Sequence, residues 1–404
     1  MKPEAKQVGV PRRLMTGPYL ARNPVVVGIM AVSDAVGLLA PRRTGTLPTG
    51  RPLNVLVANP AHLGDLINVL PLLERLRASR NVGKLGLLIG SWGRSVLQLG
   101  ELADRIHVID HWHLNRSEAS WLEKVRYHAR TKALAVEEMR RESYDVAIDT
   151  YPYFENVANL LWRIGVRTRI GFTSGGAGTF HTHRFAFDPN LSIAANQERL
   201  LAPVLRGDPL QLEVPAGIHG FRPDPEAARL ANDLADYVVL HIGRGERLKN
   251  WPAAAWIELG QRLIGDGLRL VYTGEPSEAA NSESVRAALG GINLIGRLSL
   301  PGFATILSRA RGLVSIDTVA GHLAACFQVP TAIIQNGVAP PNLWRPNQPF
   351  VRLVTFPMPC APCNRTRGCE SMRCLRSTSG DAVHAALREA MAAKASTIET
   401  LASQ

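Results

Sequence analysis

Long apolar runs, cysteines and a spread of negative charge are what this 404-residue chain has least of. The apolar stretch from Pro24 to Ala40 is shorter than the ~20 residues that cross a bilayer, and Asp34 near its middle argues further against spanning. A secretory signal would share the basic start, but no convincing small-residue cleavage site follows. Only five cysteines occur. Cys326 stands alone in an apolar helical pattern and reads as a small buried hydrophobe. Acidic residues number 34 against 46 lysines and arginines, so the chain carries +12 and calls for an anionic partner: a phosphorylated substrate, a membrane surface or nucleic acid.

Half of that surplus lies in the N-terminal 1–53 stretch, where eight basic side chains (Lys2, Lys6, Arg12, Arg13, Arg22, Arg42, Arg43, Arg51) face two acids, Glu4 and Asp34. Residues 1–52 therefore read as a basic, partly apolar extension. Its apolar stretch reads either as an amphipathic helix at an anionic membrane surface or as a helix packed on the first domain. Nucleic acid is a poor match, because the charge sits in a tail with few aromatic rings and no nucleic-acid motif appears.

What is present, from Pro52 onward, is an alternation of strands and helices. Leu53–Ala58 reads as a buried strand, Asp65–Ser79 as a helix and Lys84–Ile89 as a second strand, with Arg105–Ile109 and Tyr144–Asp149 as further strands. The basic segment 111–141 reads as a helical excursion with an exposed face. The glycine-rich stretch 171–183 reads as a flexible loop. The second half restarts the rhythm, with strands at Tyr237–Ile242, Leu268–Thr273, Asn293–Ile295, Leu313–Ile316 and Thr331–Ile334. Strands alternating with helices of this length imply an α/β fold of parallel sheets with right-handed crossovers. The domain expectation is 53–206, a linker over 207–235, and 236–404 with a cysteine-rich loop at 360–374. Two such units in tandem would bind ligands beyond the C-terminal edges of their strands.

Four segments could carry chemistry. In the first, Asn59 to Asp65, Gly64 allows close backbone approach and Asp65 offers a carboxylate to take a proton from a hydroxyl; a helix cap alone would also account for Asp65. In the second, Arg244, Arg247 and Lys249 leave a strand within six residues and suit a diphosphate, or form a solvated basic loop. Trp251 beside them reads as a packing residue. The third, Asp317-Thr318-Val319-Ala320, opens a helix directly after a strand, so amides and a positive dipole end could seat a phosphate; His322 follows one turn later. The fourth holds Cys360, Cys363, Cys369 and Cys374, whose thiolates could bind a structural zinc, remain free or form disulfides.

Taken in order, these segments resemble glycosyltransferase family 9, the heptosyltransferase family of lipopolysaccharide biosynthesis. The opening Gly64-Asp65 motif, the Lys249-Asn250-Trp251-Pro252 segment, and the run from Asn293 to Leu300 followed by Asp317-Thr318 and His322 are similar to that family's motifs. A Cys-x-Pro-Cys segment with further cysteines is also similar to the ends of many members. The similarity covers roughly residues 53–395. It implies a GT-B fold, two Rossmann-like domains facing each other across a cleft, with an acceptor domain followed by a nucleotide-sugar donor domain.

It further implies inverting, metal-independent transfer of a sugar, by default a heptose from ADP-heptose, to a lipid-linked or cell-envelope glycan. The site would be cytoplasmic, peripheral on the inner face of the membrane, and would need no cofactor beyond the nucleotide-sugar. Asp65 matches the family's general base and Lys249 the lysine that neutralises the leaving diphosphate. Asp317 and the Thr318 helix start match the donor contacts, and Glu275 stands where the nucleoside ribose is held. One departure is Val319, where the family usually has glycine after Asp-Thr. A β-branched residue does not readily take positive φ, so a differently shaped phosphate loop is expected. The same departure motivates an alternative from another class: a catalytically silent nucleotide-sugar-binding relative or scaffold.

Overall fold

A computed structural model describes residues 18–21, 23–115, 117–207, 217–243, 250–346, 348–363, 365 and 368–402. The chain divides into two compact units, Met1–Arg94 with Ala103–Leu210, and Ser95–Leu102 with Gln211–Gln404.

The first unit contains α1 (Pro24–Leu39), β1 (Leu53–Asn59), α2 (Leu63–Ile67), α3 (Leu70–Ala78), β2 (Val82–Ile89), β3 (Arg105–Val108), α4 (Trp121–Glu142) and β4 (Val146–Asp149). It continues with α5 (Ala158–Arg163), β5 (Thr168–Phe172), β6 (His183–Phe185), α6 (Ile193–Arg199) and α7 (Ala202–Leu205). Its six strands run in the order β3-β2-β1-β4-β5-β6, every pair parallel. The central strands β1 and β4 are apolar along almost their whole length because helices cover both faces of a parallel sheet.

The second unit contains α8 (Pro225–Leu234), β7 (Tyr237–His241), α9 (Ala253–Gly265), β8 (Arg269–Thr273), α10 (Ala279–Leu289), β9 (Ile292–Asn293), α11 (Leu300–Ser308) and β10 (Gly312–Ile316). It ends with α12 (Val319–Cys326), β11 (Thr331–Ile334), β12 (Val351–Val354), α13 (Arg373–Arg376) and α14 (Gly380–Ala402). The strand order, β12-β11-β10-β7-β8-β9, repeats the first sheet's connectivity, again with parallel pairing throughout. In each sheet the winding reverses once, between β1 and β4 and between β7 and β10. Such reversal points are where sheets of this class hold ligands.

Several expectations change. The helix expected over Asp65–Ser79 is two helices, because Pro71 lacks an N–H and disfavours continuous helix just before it. The stretch 207–235 contains α8, opened by Asp224 accepting from the Ala227 N–H at 2.9 Å. The glycine-rich stretch 171–183 is largely buried. A Cβ at Gly175 would lie 2.3 Å from the Tyr153 carbonyl oxygen, and one at Gly176, where φ is +72°, 2.6 Å from Met30 Cβ. These glycines serve close packing under α1. Among the described residues, no helix is long and apolar enough to cross a membrane.

Candidate active site

In the first unit the reversal point is formed by the residues that follow β1 and β4. Asn59, fully buried, donates from Nδ2 to Thr150 Oγ1 at 2.9 Å, and the Thr150 hydroxyl donates to the Ala58 carbonyl at 3.0 Å. This ties the two strand ends together and fixes where the chain enters α2. The Ala61 carbonyl accepts from Trp92 Nε1 at 2.5 Å. Asp65 is half-buried on the first turn of α2 and accepts from the His62 N–H at 3.2 Å. The helix opens earlier than the N-cap reading of Asp65 supposed: His62 is the N-cap, and Asp65, at the third helical position, reaches back to its N–H. This leaves the carboxylate half-exposed at the sheet's C-terminal edge. A Cβ at Gly64 would meet nothing within 4 Å, so neither packing nor backbone conformation in the protein requires glycine there.

Around Asp65 stand groups the sequence reading passed over. Tyr153 has its phenol pushed up, first by burial and then by the charges of Asp65 and Glu155. Its ring lies 5.3 Å from that of Tyr151. Glu155 is buried and meets His113 Nδ1 at 2.5 Å. Beyond β3, His111 and His128 pack edge to face at 5.2 Å, and His128 Nδ1 faces the Asp110 carbonyl at 3.0 Å. Burial, then the neighbouring cations, pushes His111 down to about 3, so it is neutral at pH 7. With Lys132, Asn156 and, from α1, Ile29, Met30 and Ser33, these histidines line a cavity of about 210 Å³ whose wall does not include Asp65. The available signal was positional, since these histidines directly follow strand ends or face them from α4.

In the second unit, β10 ends at Ile316 and the Asp317 N–H donates to the Ile334 carbonyl at 3.2 Å. Thr318 caps α12, accepting weakly from the Ala320 N–H at 3.4 Å. Asp317, Thr318 and Val319 are all half-buried, and Ala320 is fully buried, so Ala320 can serve a ligand through its backbone alone. Val319 is the first helical residue, and none of residues 317–320 has positive φ. The differently shaped loop expected from Val319 is therefore not imposed: a β-branched side chain fits a helical φ. At Gly321, one turn on, a Cβ would lie 2.8 Å from the terminal Cδ1 of Ile333. His322 is pushed down to about 4 by burial, against the opposing charge of Asp317.

Polar atoms gather at this same edge. Ser315 Oγ and Asn336 Nδ2 are buried without a hydrogen-bond partner. They flank Asp317 on β10 and just beyond β11. Glu275 is exposed after β8 and opens the turn 276–278, its N–H donating to Glu278 Oε2 at 2.8 Å. Glu278, missed in the sequence reading, is the buried member of that pair: its carboxylate occupies the space that side chains at Gly243 and Gly274 would fill. Arg244, Arg247 and Lys249 lie outside the described residues. Trp251 packs, its Nε1 donating to the Thr378 carbonyl at 2.9 Å and its ring 4.9 Å from Trp256.

The four clustered cysteines are unpaired thiols. Cys374 is turned into the second unit's core by α13, whereas Cys360 is exposed. Among the described residues, no group of three His, Cys, Asp or Glu is placed to hold a metal ion.

The comparisons with known proteins agree with this architecture. The family model described as glycosyltransferase family 9 (heptosyltransferase) matches residues 133–372. The chain is 33% identical over 156 residues to lipopolysaccharide heptosyltransferase 1 of Pseudomonas aeruginosa, a match covering 38% of this chain and 43% of that relative. It is 22% identical over 299 residues to lipopolysaccharide heptosyltransferase 1 of Escherichia coli K12, covering 71% of this chain and 89% of the relative. Among solved structures, a family 9 glycosyl transferase from Veillonella parvula superposes with a TM-score of 0.65 at 18% identity, over 86% of this chain and 99% of that one. An E. coli heptosyltransferase solved with ADP-2-deoxy-2-fluoro heptose gives 0.60 at 18% identity, over 83% and 99%. These likenesses give the fold as GT-B, two Rossmann-like units in one chain. With the family model matching more than half of its residues, the chain belongs to glycosyltransferase family 9, the heptosyltransferase family.

Proposed function

We propose that the protein is an inverting, metal-independent heptosyltransferase that moves a heptose from ADP-heptose to a lipid-linked glycan of the lipopolysaccharide type, at the cytoplasmic face of the membrane. Residues 53–206 would take the acceptor and 236–404 the donor, with 207–235 joining them. The observation that carries the reading is the placement of Gly64-Asp65 and of Asp317-Thr318 at the reversal points of two sheets with the same winding. The donor assignment draws on the relatives' names and on the ADP-heptose analogue held by the E. coli neighbour.

The reaction is a single displacement. The acceptor hydroxyl oxygen attacks the anomeric carbon, its proton passes to Asp65, and the bond from that carbon to the diphosphate breaks on the opposite face. ADP then leaves with the electron pair. Negative charge grows on the diphosphate, so positive groups placed beforehand favour the transition state over the ground state. Lys249, Arg244 and Arg247 supply that charge, and the N-terminus of α12 adds about half an elementary charge. Ser315 and Asn336 offer unfilled hydrogen bonds beside it, and Glu275 is assigned to the ribose hydroxyls. Room beside Gly64 admits the acceptor close to the Asp65 carboxylate.

Calorimetric titration with ADP, GDP, UDP and CMP, on the wild type and on Lys249→Ala, tests the donor side. Tight binding of ADP alone, weakened in the variant, is the expected result; preference for another nucleotide refutes the ADP assignment.

A further inference from the structure

The outer face of α1 and the cavity at its C-terminal end have no role in that chemistry. Val25, Ile29, Val32, Val36 and Leu39 recur at spacings of four, three, four and three, so they form one stripe on the helix. All five are exposed, from 49% at Ile29 to 87% at Leu39. The opposite face is fixed to the first unit. Met30 is buried, and Asp34 Oδ1 accepts from the Thr179 N–H at 3.0 Å while its Oδ2 accepts from the Tyr19 hydroxyl at 2.8 Å. Gly37 comes so close that a Cβ there would lie 2.2 Å from Thr179 Oγ1. The acid that interrupts the apolar run is the peg that turns the stripe outward.

Just past the helix, Arg42, Arg43, Arg169 and Arg184 line a cavity of about 210 Å³ that no acidic residue lines. Arg169 is 3% exposed. Its guanidinium donates only to carbonyls, including Phe180 at 2.7 Å, Arg43 at 2.8 Å and Val166. A buried cation without a carboxylate is costly unless an anion completes it. Arg43 stacks over Trp162 at 4.6 Å. His181, buried in the same wall, has no hydrogen-bond partner on either ring nitrogen. Arginine forks match phosphate oxygens in pairs, so the cavity's chemistry is that of a phosphate group.

We propose that α1 lies in the membrane interface with its apolar stripe among the acyl chains, and that the four-arginine cavity holds the phosphate headgroup of an anionic lipid. This rests on, and sharpens, the reading of the acceptor as lipid-linked. Exposed apolar side chains, Leu38 at 69% among them, followed directly by arginines are what an anionic bilayer surface attracts: acyl chains take the first and headgroup charge the second. A second copy of the chain suits the stripe less well. Coiled-coil pairing sets register through charges flanking the seam, and the one charge on α1, Asp34, faces inward.

Flotation of the full chain with phosphatidylcholine vesicles, and with the same vesicles doped with phosphatidic acid, tests the proposal. Binding to the doped vesicles is expected, falling as salt rises. Arg42→Gln with Arg184→Gln should weaken it by about 25-fold, roughly fivefold for each arginine. Val32→Asp with Val36→Asp should abolish it with the circular dichroism spectrum and thermal unfolding unchanged, since both residues are exposed. Equal binding to doped and undoped vesicles, or binding indifferent to both double variants, overturns the proposal. So does calorimetric binding of inorganic phosphate without vesicle binding, or a stripe-dependent dimer in light scattering. Heptosyl transfer to a water-soluble acceptor fragment is followed separately. Vesicle binding without transfer keeps the docking surface and removes the proposed reaction, and transfer without vesicle binding does the reverse.

Discussion

Replacing Asp65 by asparagine and by alanine separates two duties that one carboxylate carries. In capping the helix, Asp65 accepts a 3.2 Å hydrogen bond from the His62 N–H at the start of a five-residue helix. Loss of a cap of that kind costs about 1 kcal/mol. As a base, it should contribute about 10²–10⁴-fold in rate, which is about 3–5 kcal/mol of barrier. Asparagine keeps a carbonyl oxygen for the His62 N–H and loses only basicity; alanine loses both. The account therefore expects Asp65→Asn to unfold within about 0.5 kcal/mol of the wild type while kcat/KM falls at least about 10²-fold. Asp65→Ala should add a small drop in stability and little further loss of rate. Urea denaturation and initial rates of transfer measure the two quantities on the same preparations. A wild-type rate in Asp65→Asn would refute the assignment of the base, and a rate loss that merely tracked unfolding would reduce Asp65 to its cap.

Other outcomes follow from the same geometry. Gly175→Ala places a Cβ 2.3 Å from the Tyr153 carbonyl oxygen and should destabilise by about 1–3 kcal/mol in denaturant titration, whereas Gly64→Ala meets nothing, should keep full stability, and should raise KM for the acceptor. Lys249→Ala should weaken ADP binding at least about tenfold with an unchanged melting temperature; undiminished binding would remove Lys249 from the donor site. Burial, with Arg169 and Arg184, pushes His181 down to about 3, against about 6.5 in the unfolded chain, so the unfolded state binds one more proton between those values. That contribution is lost as pH falls from about 6.5 towards 3, by up to about 1.4 kcal/mol per pH unit. Asp149, 3.9 Å away and pushed up to about 7 by burial, acts in the opposite sense, so the readout is the difference between His181→Phe and wild type. The variant should lose stability less steeply on acidification; parallel curves would show that His181 takes up its proton without unfolding.

The parts of the fold that were legible in the sequence are those where one physical signal dominates. Leu53–Ala58 and Thr331–Ile334 are short, mainly apolar runs bounded by turns, and both are interior strands of their sheets. Thr168–Phe172 and His183–Phe185 were missed, because Arg169 and Arg184 interrupt the apolar pattern and the glycines between them read as a loop. Carbonyl oxygens, including those of Phe180 and Thr179, take up donors of both arginines, which satisfies hydrogen bonds without balancing the buried charge of Arg169. The candidate site was legible where it lies on consecutive residues, as at Asp65 and at Asp317-Thr318. Tyr153 meets the charge of Asp65 and Glu155 meets His113 across long stretches of chain, and Glu278 fills the space beside Gly243, so only the fold brings these neighbours together.

The central claim is heptosyl transfer with inversion, and the product reports on it most directly. Wild-type protein is incubated with ADP-heptose and a lipid-linked core acceptor, and the product is weighed by mass spectrometry and its new anomeric linkage read by NMR. The acceptor should gain the mass of one heptose residue, with the anomeric configuration opposite to that of the donor. Retained configuration would contradict the single displacement at Asp65, and donor binding with no mass gain in any acceptor would contradict transfer itself.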